Sequence, residues 1–394
     1  MPWKELDLVE QRFRFIEEWR SEDYSLAELC RHYEITRATG YKWVRRYEAG
    51  GLESLGDRSR APHHHPNELP EEMEELVLSL RSGHPSWGAP KIRAKIRQDH
   101  AALSLPAEST IGAILQRNGL TLPRGKRRPR RASASPLVEP ARSNHVWSAD
   151  FKGWFHAGDG TRIDPLTITD NYSRYLFRCQ SLNAADTLHS KPVFQAAFRE
   201  FGLPERIRTD NGSPFGSNGE SGLTGLSAWW IRLGIIPEKI QPGKPQQNGR
   251  HERMHRTLKQ ETASPPARNR RRQQERFDRF REEYNEHRPH QALGQKTPGS
   301  VYTASPRAYP ERLREAEYPA GWAVRRISPG GQMRWKLHRV FISHAMEGDA
   351  IGLEPIDDGV WRVWYHAWLA GIFDEATLRL NRPTPEQITQ KPSL

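Results

Sequence analysis

The chain has 394 residues. It should form more than one domain, because a single hydrophobic core seldom grows past about 250 to 300 residues. Lysine and arginine number 60 against 48 acidic residues, and the net charge of +12 favours a polyanionic partner, with nucleic acid as the leading candidate; a simply soluble basic protein is the alternative that charge alone leaves open. Two cysteines exclude a disulfide framework, and no apolar run has the ~18 residues of a membrane helix.

Residues 1–60 have the pattern of a helix-turn-helix domain. Apolar residues at helical spacing predict a helix over 8–20, Ser25 and Glu28 match a capping box that opens a second helix, and a basic third helix follows over 37–47. A basic helix after a short turn suits the major groove of DNA. The alternative is a plain three-helix bundle with a solvated face. The predicted DNA contacts are Arg37, Thr39, Lys42 and Arg46.

Two segments follow this domain. Three amphipathic runs, near 70–81, 89–99 and 107–118, predict a second helical DNA-binding domain over 67–120. Residues 121–143 form a basic linker that cannot pack, and they are interpreted as an arm that lies on DNA phosphates. The cations predicted to bind there are Arg127, Arg128, Arg130 and Arg131.

Residues 144–300 change to strand patterns. Helices near 184–201 and 223–233 lie between the later strands, and this order predicts a mixed five-stranded sheet covered by helices. The predicted strands are 146–151, 163–169, 175–182, 206–209 and 235–240. Short strand-like runs over 315–380 predict a small SH3-like β-barrel, with basic residues that suit DNA; a dimerising or structural barrel is the alternative.

Three acidic residues stand in motifs of their own. Asp150 and Asp210 each end an apolar strand-like run, and Glu252 lies in a predicted helix. Carboxylates are hard oxygen ligands that suit Mg²⁺, which takes its other ligands from water and phosphate oxygens. The three motifs together predict a site for phosphodiester chemistry. Rival carboxylates at Asp159 and Asp170 are explained by hairpin and turn chemistry.

The motifs closely resemble those of DDE transposases of bacterial insertion sequences, in the retroviral-integrase superfamily. The matching segments are 147–153, 209–215, 244–253, 255–259, 284–293 and Thr297-Pro298. The resemblance implies an RNase H-like fold for residues 144–300 and gives Asp150, Asp210 and Glu252 the catalytic and metal-binding roles. The amino-terminal His and Cys zinc module of retroviral integrases is absent here, so zinc is not implied.

The resemblance also implies an activity. A transposase binds the terminal inverted repeats of a mobile element, cleaves the DNA ends and joins them to target DNA with two Mg²⁺ ions, for which Mn²⁺ substitutes. The implied partners are double-stranded DNA, from element ends and target, and further copies of the chain in a homodimer or higher oligomer. No membrane is involved, and the expected location is the bacterial cytoplasm, with the nucleoid when DNA is bound.

One helix face carries both acid and base. Glu252 and three basic residues follow one another at i, i+3, i+4 and i+7, which places them on one side of a helix. Cations beside the glutamate would bind DNA phosphates; the alternative is pairing with a nearby acid. The predicted contacts are His255, Arg256 and Lys259.

Two other functions compete with transposition. A domesticated DNA-binding regulator could keep the fold, but acids are present in all three motifs. A hydrolytic nuclease of the same fold would not need two helical DNA-reading units and a basic barrel. The polar loop over 216–225 can either gate the site or be a tolerated insertion, and the histidines at 63–65 are interpreted as part of a solvated linker.

Overall fold

The computed structural model describes residues 8–57, 69–121, 137–217, 219–241 and 243–383. The predicted arm cations and the histidines at 63–65 lie outside these ranges. The chain divides into two compact units, Met1–Pro70 and Glu71–Leu394. No helix among the described residues is both long and apolar enough to cross a membrane.

The first unit is a bundle of three helices around a small core. The capping box predicted at Ser25 and Glu28 is confirmed, since the Ser25 side chain accepts from the Glu28 amide and the Glu28 carboxylate accepts from the Ser25 amide. Gly40 is required where the second and third helices meet, because a Cβ there would lie 2.5 Å from the Cys30 sulfur. The helices are α1 (Leu8–Arg20), α2 (Leu26–His32) and α3 (Arg37–Gly50).

Three more helices open the second unit: α4 (Glu71–Gly83), α5 (Ala89–Asp99) and α6 (Glu108–Arg117). Their buried residues follow the predicted apolar spacing, and all five side chains expected in this core are buried. These residues are Ile92, Ile96, Ile111, Ile114 and Leu115.

The loop between α4 and α5 is held against the following domain by polar contacts. Ser86 Oγ donates to Glu261 Oε1 at 2.7 Å, and Glu261 Oε1 also accepts from Arg288 Nη1 at 2.8 Å. Trp87 is fully buried next to this contact and stacks on His84 at a ring distance of 3.8 Å. These three helices therefore have a polar attachment to the domain that carries Glu261 and Arg288.

A mixed sheet organises the next domain, as predicted. Its strands are β1 (Val146–Phe151), β2 (Phe155–His156), β3 (Arg162–Asp170), β4 (Leu176–Leu182), β5 (Arg206–Thr209) and β6 (Ile236–Lys239). Strand β3 pairs antiparallel with β1 and with β4, while β5 pairs parallel with β1 and with β6. The two-residue strand β2 was not predicted and pairs with the start of β3. In the β1–β3 ladder, Asp150 lies opposite Thr167.

Helices cover both faces of this sheet: α7 (Thr187–Phe201), α8 (Gly225–Arg232), α9 (Gly249–Thr262), α10 (Arg270–Glu282) and α11 (Pro298–Val301). A single π-helical turn, Glu283–His287, continues α10. Trp147 and Ala149 of β1 pack into the core shared with α7 and α8. Successive side chains of a strand face opposite sides, so Asp150 faces the side covered by α9.

The carboxyl-terminal region is an open sheet. Five strands pair in the order β13-β12-β11-β10-β7, and β8 and β9 form a separate two-stranded sheet. The strands are β7 (Ala323–Arg326), β8 (Gln332–Trp335), β9 (His338–Phe341), β10 (Ala350–Asp357), β11 (Val360–Tyr365), β12 (Trp368–Asp374) and β13 (Arg379–Asn381).

The predicted closed SH3-like barrel over 315–380 is not confirmed, because no ladder among the described residues joins the edge strands β7 and β13. The chain turns at 328–331 between β7 and β8, so the hairpin of β8 and β9 leaves the larger sheet. The apolar face of the region packs instead on Ala228 and Ile231 of α8.

Candidate active site

Asp150 lies near the end of β1, in the centre of the sheet. Its neighbours Trp147 and Ala149 are fully buried on the opposite face, and they fix the strand in its register. The Asp150 side chain is 19% exposed and faces α9. Its Oδ2 accepts from the Asn248 side-chain amide at 3.4 Å, just before that helix begins.

Asp210 follows β5, which is the parallel neighbour of β1. The carboxyl ends of adjacent parallel strands meet at one edge of a sheet, so Asp210 is brought towards Asp150. Gly212 donates its backbone N–H to Asp210 Oδ1 at 3.1 Å, and the Asn211 side chain donates to the Ile240 carbonyl at 2.8 Å. These bonds fix the turn that presents the Asp210 carboxylate.

Glu252 lies in the first turn of α9 and is exposed. It borders an open cavity of about 500 Å³ together with Asp150. Three basic side chains line the same cavity, and they are Lys152, Arg256 and Lys259. The cavity therefore combines carboxylates with cations that can receive phosphate.

The electrostatics of Asp150 reflect its acidic neighbours. Burial is the largest cause that raises the pKa of the Asp150 carboxyl from its usual 3.8 to about 7, and the negative charge of Asp210 is the second. Glu252 raises the pKa further, while the Phe151 backbone N–H and Lys152 lower it. The other two predicted acids thus both act electrostatically on Asp150. Carboxylates whose negative charges repel one another at one place form a suitable binding site for a divalent cation.

Behind Asp150 lies a buried polar cluster that the sequence did not predict. His251 and His255, one helical turn apart on α9, face Thr167 and Thr169 of β3. One ligand atom each from Asp150, His251 and His255 lies within 4.8 Å of the other two, so this group could also hold a metal ion. The signal in the sequence is the i, i+4 pair of histidines, but their partners are more than 80 residues away.

The predicted DNA contacts of α9 differ in exposure. Arg256 and Lys259 are exposed, whereas His255 is only 4% exposed and touches the cavity with one edge. A DNA contact by His255 stays a prediction that its burial does not favour. Burial also lowers the pKa of the His255 imidazole well below 6.5, and it lowers the pKa of His251 to about 3.

In the amino-terminal unit, Arg37 and Lys42 are exposed on α3, as DNA contacts would have to be. Thr39 is half-buried, and its hydroxyl lies 2.9 Å from that of Thr36. Arg46 is also half-buried and stacks its guanidinium over Trp43 at 4.9 Å.

The rival carboxylates have local roles. Asp159 Oδ1 accepts from the Thr161 amide at 2.9 Å, within a turn. Asp170 accepts from the amides of Asn144 and Ser173, at 3.0 and 2.7 Å. These bonds confirm the turn interpretation of both residues.

A central mixed sheet with acids on β1, after β5 and on the covering helix defines the class of integrase-like catalytic cores. Family models of the integrase core domain match residues 140–245 and 233–298. These matches confirm the resemblance to DDE transposases inferred from the motifs. A helix-turn-helix domain model matches residues 11–63, and a homeodomain-like model matches residues 39–115.

Two relatives come from bacterial insertion elements. An IS407 uncharacterized 31.7 kDa protein of Burkholderia multivorans is 30% identical over 179 residues, which are 44% of this chain and 60% of that protein. An IS476 uncharacterized 39.2 kDa protein of Xanthomonas euvesicatoria is 24% identical over 246 residues, which are 59% of this chain and 65% of that protein. The chain thus spans less than two thirds of either relative.

Among solved structures, a chain of the simian T-cell lymphotropic virus intasome in complex with PP2A regulatory subunit B56 gamma is 16% identical, with a TM-score of 0.37 over 73% of this chain and 91% of that chain. The HTLV-2 integrase catalytic core domain in complex with magnesium is 14% identical, with a TM-score of 0.31 over 42% of this chain and 100% of that one.

Proposed function

We propose that the protein is a transposase, which binds the terminal inverted repeats of a mobile element, cleaves its ends and transfers them to target DNA. The observation that carries this proposal is that Asp150 and Glu252 line one cavity with three cations, while Asp210 follows the strand that is the parallel neighbour of β1. The integrase core matches over residues 140–298 and the two insertion-element relatives support it.

The three carboxylates hold the metal in this proposal. Asp150 is fixed by the sheet, Asp210 by its turn, and Glu252 by the first turn of α9. Two Mg²⁺ ions, or Mn²⁺ in their place, would activate the attacking oxygen and stabilise the leaving one. Arg256 and Lys259 bind the DNA backbone beside the acids, since they line the same cavity and are exposed.

The other segments supply binding and assembly. Residues 1–60 and 67–120 read DNA, with Arg37 and Lys42 presented to it; the arm over 121–143 lies on phosphates, and the region over 315–380 binds DNA or another copy of the chain. Residues 144–300 carry out the chemistry. The working form is a homodimer or higher oligomer on paired DNA ends, located with the nucleoid.

The test is an end-cleavage and end-joining assay on labelled DNA that carries the element's inverted repeats, run beside a gel shift. Asp150→Asn, Asp210→Asn and Glu252→Gln keep the shape but remove negative charge, so each should abolish cleavage and joining with Mg²⁺ or Mn²⁺. DNA binding should survive in all three variants. Asp159→Asn is the matched control, because its carboxylate serves a turn, and it should stay active.

The outcomes also separate the competing functions. Specific binding by the wild type without cleavage would identify a regulator. Cleavage without joining would identify a hydrolytic nuclease. Wild-type activity in one of the three acid variants would remove that residue from the site.

A further inference from the structure

The polar cluster behind Asp150 is a chain of three hydrogen-bond contacts that ends 3.8 Å from the Asp150 carboxylate. Thr169 Oγ1 lies 3.1 Å from His251 Nδ1, and His251 Nε2 lies 2.6 Å from Thr167 Oγ1. The same hydroxyl lies 2.6 Å from His255 Nε2, and His255 Nδ1 lies 3.8 Å from Asp150 Oδ2. The two rings are perpendicular, with centroids 4.6 Å apart. The chain therefore runs from β3 through α9 to the predicted metal ligand.

The number of hydrogens determines the direction of this chain. A neutral imidazole has one N–H donor and one bare acceptor nitrogen, and a threonine hydroxyl has one hydrogen to donate. Both rings are almost fully buried, which favours their neutral forms. Thr167 can therefore donate to only one of the two histidines, and the other histidine must donate to Thr167.

The contact with Asp150 decides which histidine donates. If His255 donated from Nε2, its bare Nδ1 would face the Asp150 carboxylate, and two lone pairs would oppose each other at 3.8 Å. If Thr167 donates to His255 Nε2, the Nδ1–H of His255 points at the carboxylate instead. His251 then donates from Nε2 to Thr167 and accepts from Thr169 at Nδ1, so each short contact has one hydrogen.

A further contact competes for the Thr167 hydrogen. Thr167 Oγ1 also lies 3.2 Å from the backbone carbonyl of Asp150. The 2.6 Å contact with His255 is shorter, and shorter contacts are the stronger hydrogen bonds. The Asp150 carbonyl lies on β1, which is already paired with β3 in the sheet, whereas the hydrogen-bond partner of His255 Nε2 is Thr167.

We propose that His255 is a positioning residue for Asp150. A chain of hydrogen bonds holds it as the Nδ1–H tautomer: Thr169 donates to His251, His251 donates to Thr167, and Thr167 donates to His255. The Nδ1–H dipole stabilises the ionised carboxylate and fixes the oxygen that turns towards His255, so that the other oxygen faces the cavity. The chain also ties α9, which carries Glu252, to the strand opposite Asp150. Outer partners of this kind commonly contribute about 10- to 100-fold to metal affinity. The inference rests on the proposed function, since it assumes that Asp150 binds metal.

The tautomer can be measured without metal or DNA, at about pH 9, where Asp150, with its pKa of about 7, is ionised. Long-range proton–nitrogen spectra of the full-length protein with ¹⁵N-labelled histidine distinguish Nδ1–H from Nε2–H rings, and the signals lost in His255→Asn identify His255. His255 should appear as the neutral Nδ1–H tautomer and His251 as the Nε2–H tautomer. An Nε2–H tautomer at His255 would overturn the proposal.

The second measurement is Mn²⁺ binding, followed by the loss of the free-ion EPR signal. Thr167→Val keeps the shape but removes the hydroxyl, and it should weaken binding by about 10- to 100-fold. Thr167→Ser restores the hydroxyl and should bind almost as the wild type does. Circular dichroism checks that both variants are folded.

Two results would count against the positioning role. Wild-type Mn²⁺ affinity in Thr167→Val would mean that the chain does not act on Asp150. A directly bound ¹⁴N coupling to Mn²⁺ that disappears in His255→Asn would make His255 a ligand instead. If the wild type binds Mn²⁺ no better than Asp150→Asn does, the proposed function fails, and the tautomer measurement still decides the orientation of the chain.

Discussion

Helix α9 has two faces that do different work. The inner face carries Met254 and Leu258, which are buried, and the two histidines of the polar cluster. The outer face carries Glu252, Arg256 and Lys259, which are exposed to the cavity. The inner face determines where the helix lies, and the outer face determines what can bind there. Substitutions one residue apart should therefore change different properties of the protein.

The largest difference in stability should separate two neighbours on α9. Leu258 is 1% exposed, and Leu258→Ala should destabilise the domain by about 2–5 kcal/mol through lost burial and the cavity that remains. Lys259 is exposed, and Lys259→Ala should change stability by no more than about 0.5 kcal/mol. Thermal unfolding measures both variants. Equal losses would show that the two faces are not distinct.

The second prediction concerns pH and the charge of the Asp150 carboxyl, which lies next to the inner face of α9. Because the folded state raises the pKa of Asp150 from 3.8 to about 7, it binds the proton more tightly than the unfolded state does. The contribution of Asp150 to stability should therefore fall as the pH rises from about 4 to 7, by up to roughly 4 kcal/mol, and stay low above that range.

Asp150→Asn removes this effect. In metal-free buffer the variant should unfold at a higher temperature than the wild type at pH 8, with little difference near pH 4. Added Mg²⁺ should raise the unfolding temperature of the wild type at pH 8 and leave that of the variant nearly unchanged. A difference in unfolding temperature between Asp150→Asn and the wild type that does not grow between pH 4 and 7 would contradict the raised pKa of Asp150.

The third prediction tests the outer face. The double variant Arg256→Ala with Lys259→Ala should weaken binding to all DNA sequences about equally, because phosphate contacts carry no sequence information. The slope of log affinity against log salt should become shallower by up to about 1.8 for two lost contacts. Arg253→Ala is the matched control, since Arg253 is exposed on α9 but does not line the cavity. A sequence-dependent loss would indicate base contacts instead.

The smallest effect is expected at the far end of α9, where Ser86 donates to Glu261. Ser86→Ala removes this bond and the one that Ser86 accepts from Arg288, and it should cost about 0.5–1.5 kcal/mol for each of the two. Ser82→Ala, at an exposed position of α4, is the comparison. Unfolding curves that coincide for the two variants would mean that these bonds add nothing measurable.

The sequence predicted what depends on local pattern. Apolar strand-like runs bounded by turns located the five main strands and the two aspartates that follow or end them. Helical spacing likewise located the inner and outer faces of α9, apart from His255, whose position between the faces depends on β3.

What the sequence did not predict depends on contacts between distant segments. The partners of His251 and His255 are threonines on β3, and nothing local to the chain pairs them. In the carboxyl-terminal region the strand patterns were found, but alternation does not say which edges pair. The hairpin of β8 and β9 left the larger sheet, so the expected barrel did not close.

The attachment of the α4–α5 loop affects how the catalytic part should be isolated. Arg288 has only 6% of its side chain exposed, and it donates hydrogen bonds to both Glu261 and Ser86. A fragment that starts at residue 144 would keep the Arg288 guanidinium and the Glu261 carboxylate but would lack the Ser86 hydroxyl and the Trp87 ring beside them. It would therefore expose surface that is buried in the longer chain. A fragment that starts at residue 71 keeps that cover, and it is the shorter version of the protein to express for crystals and assays.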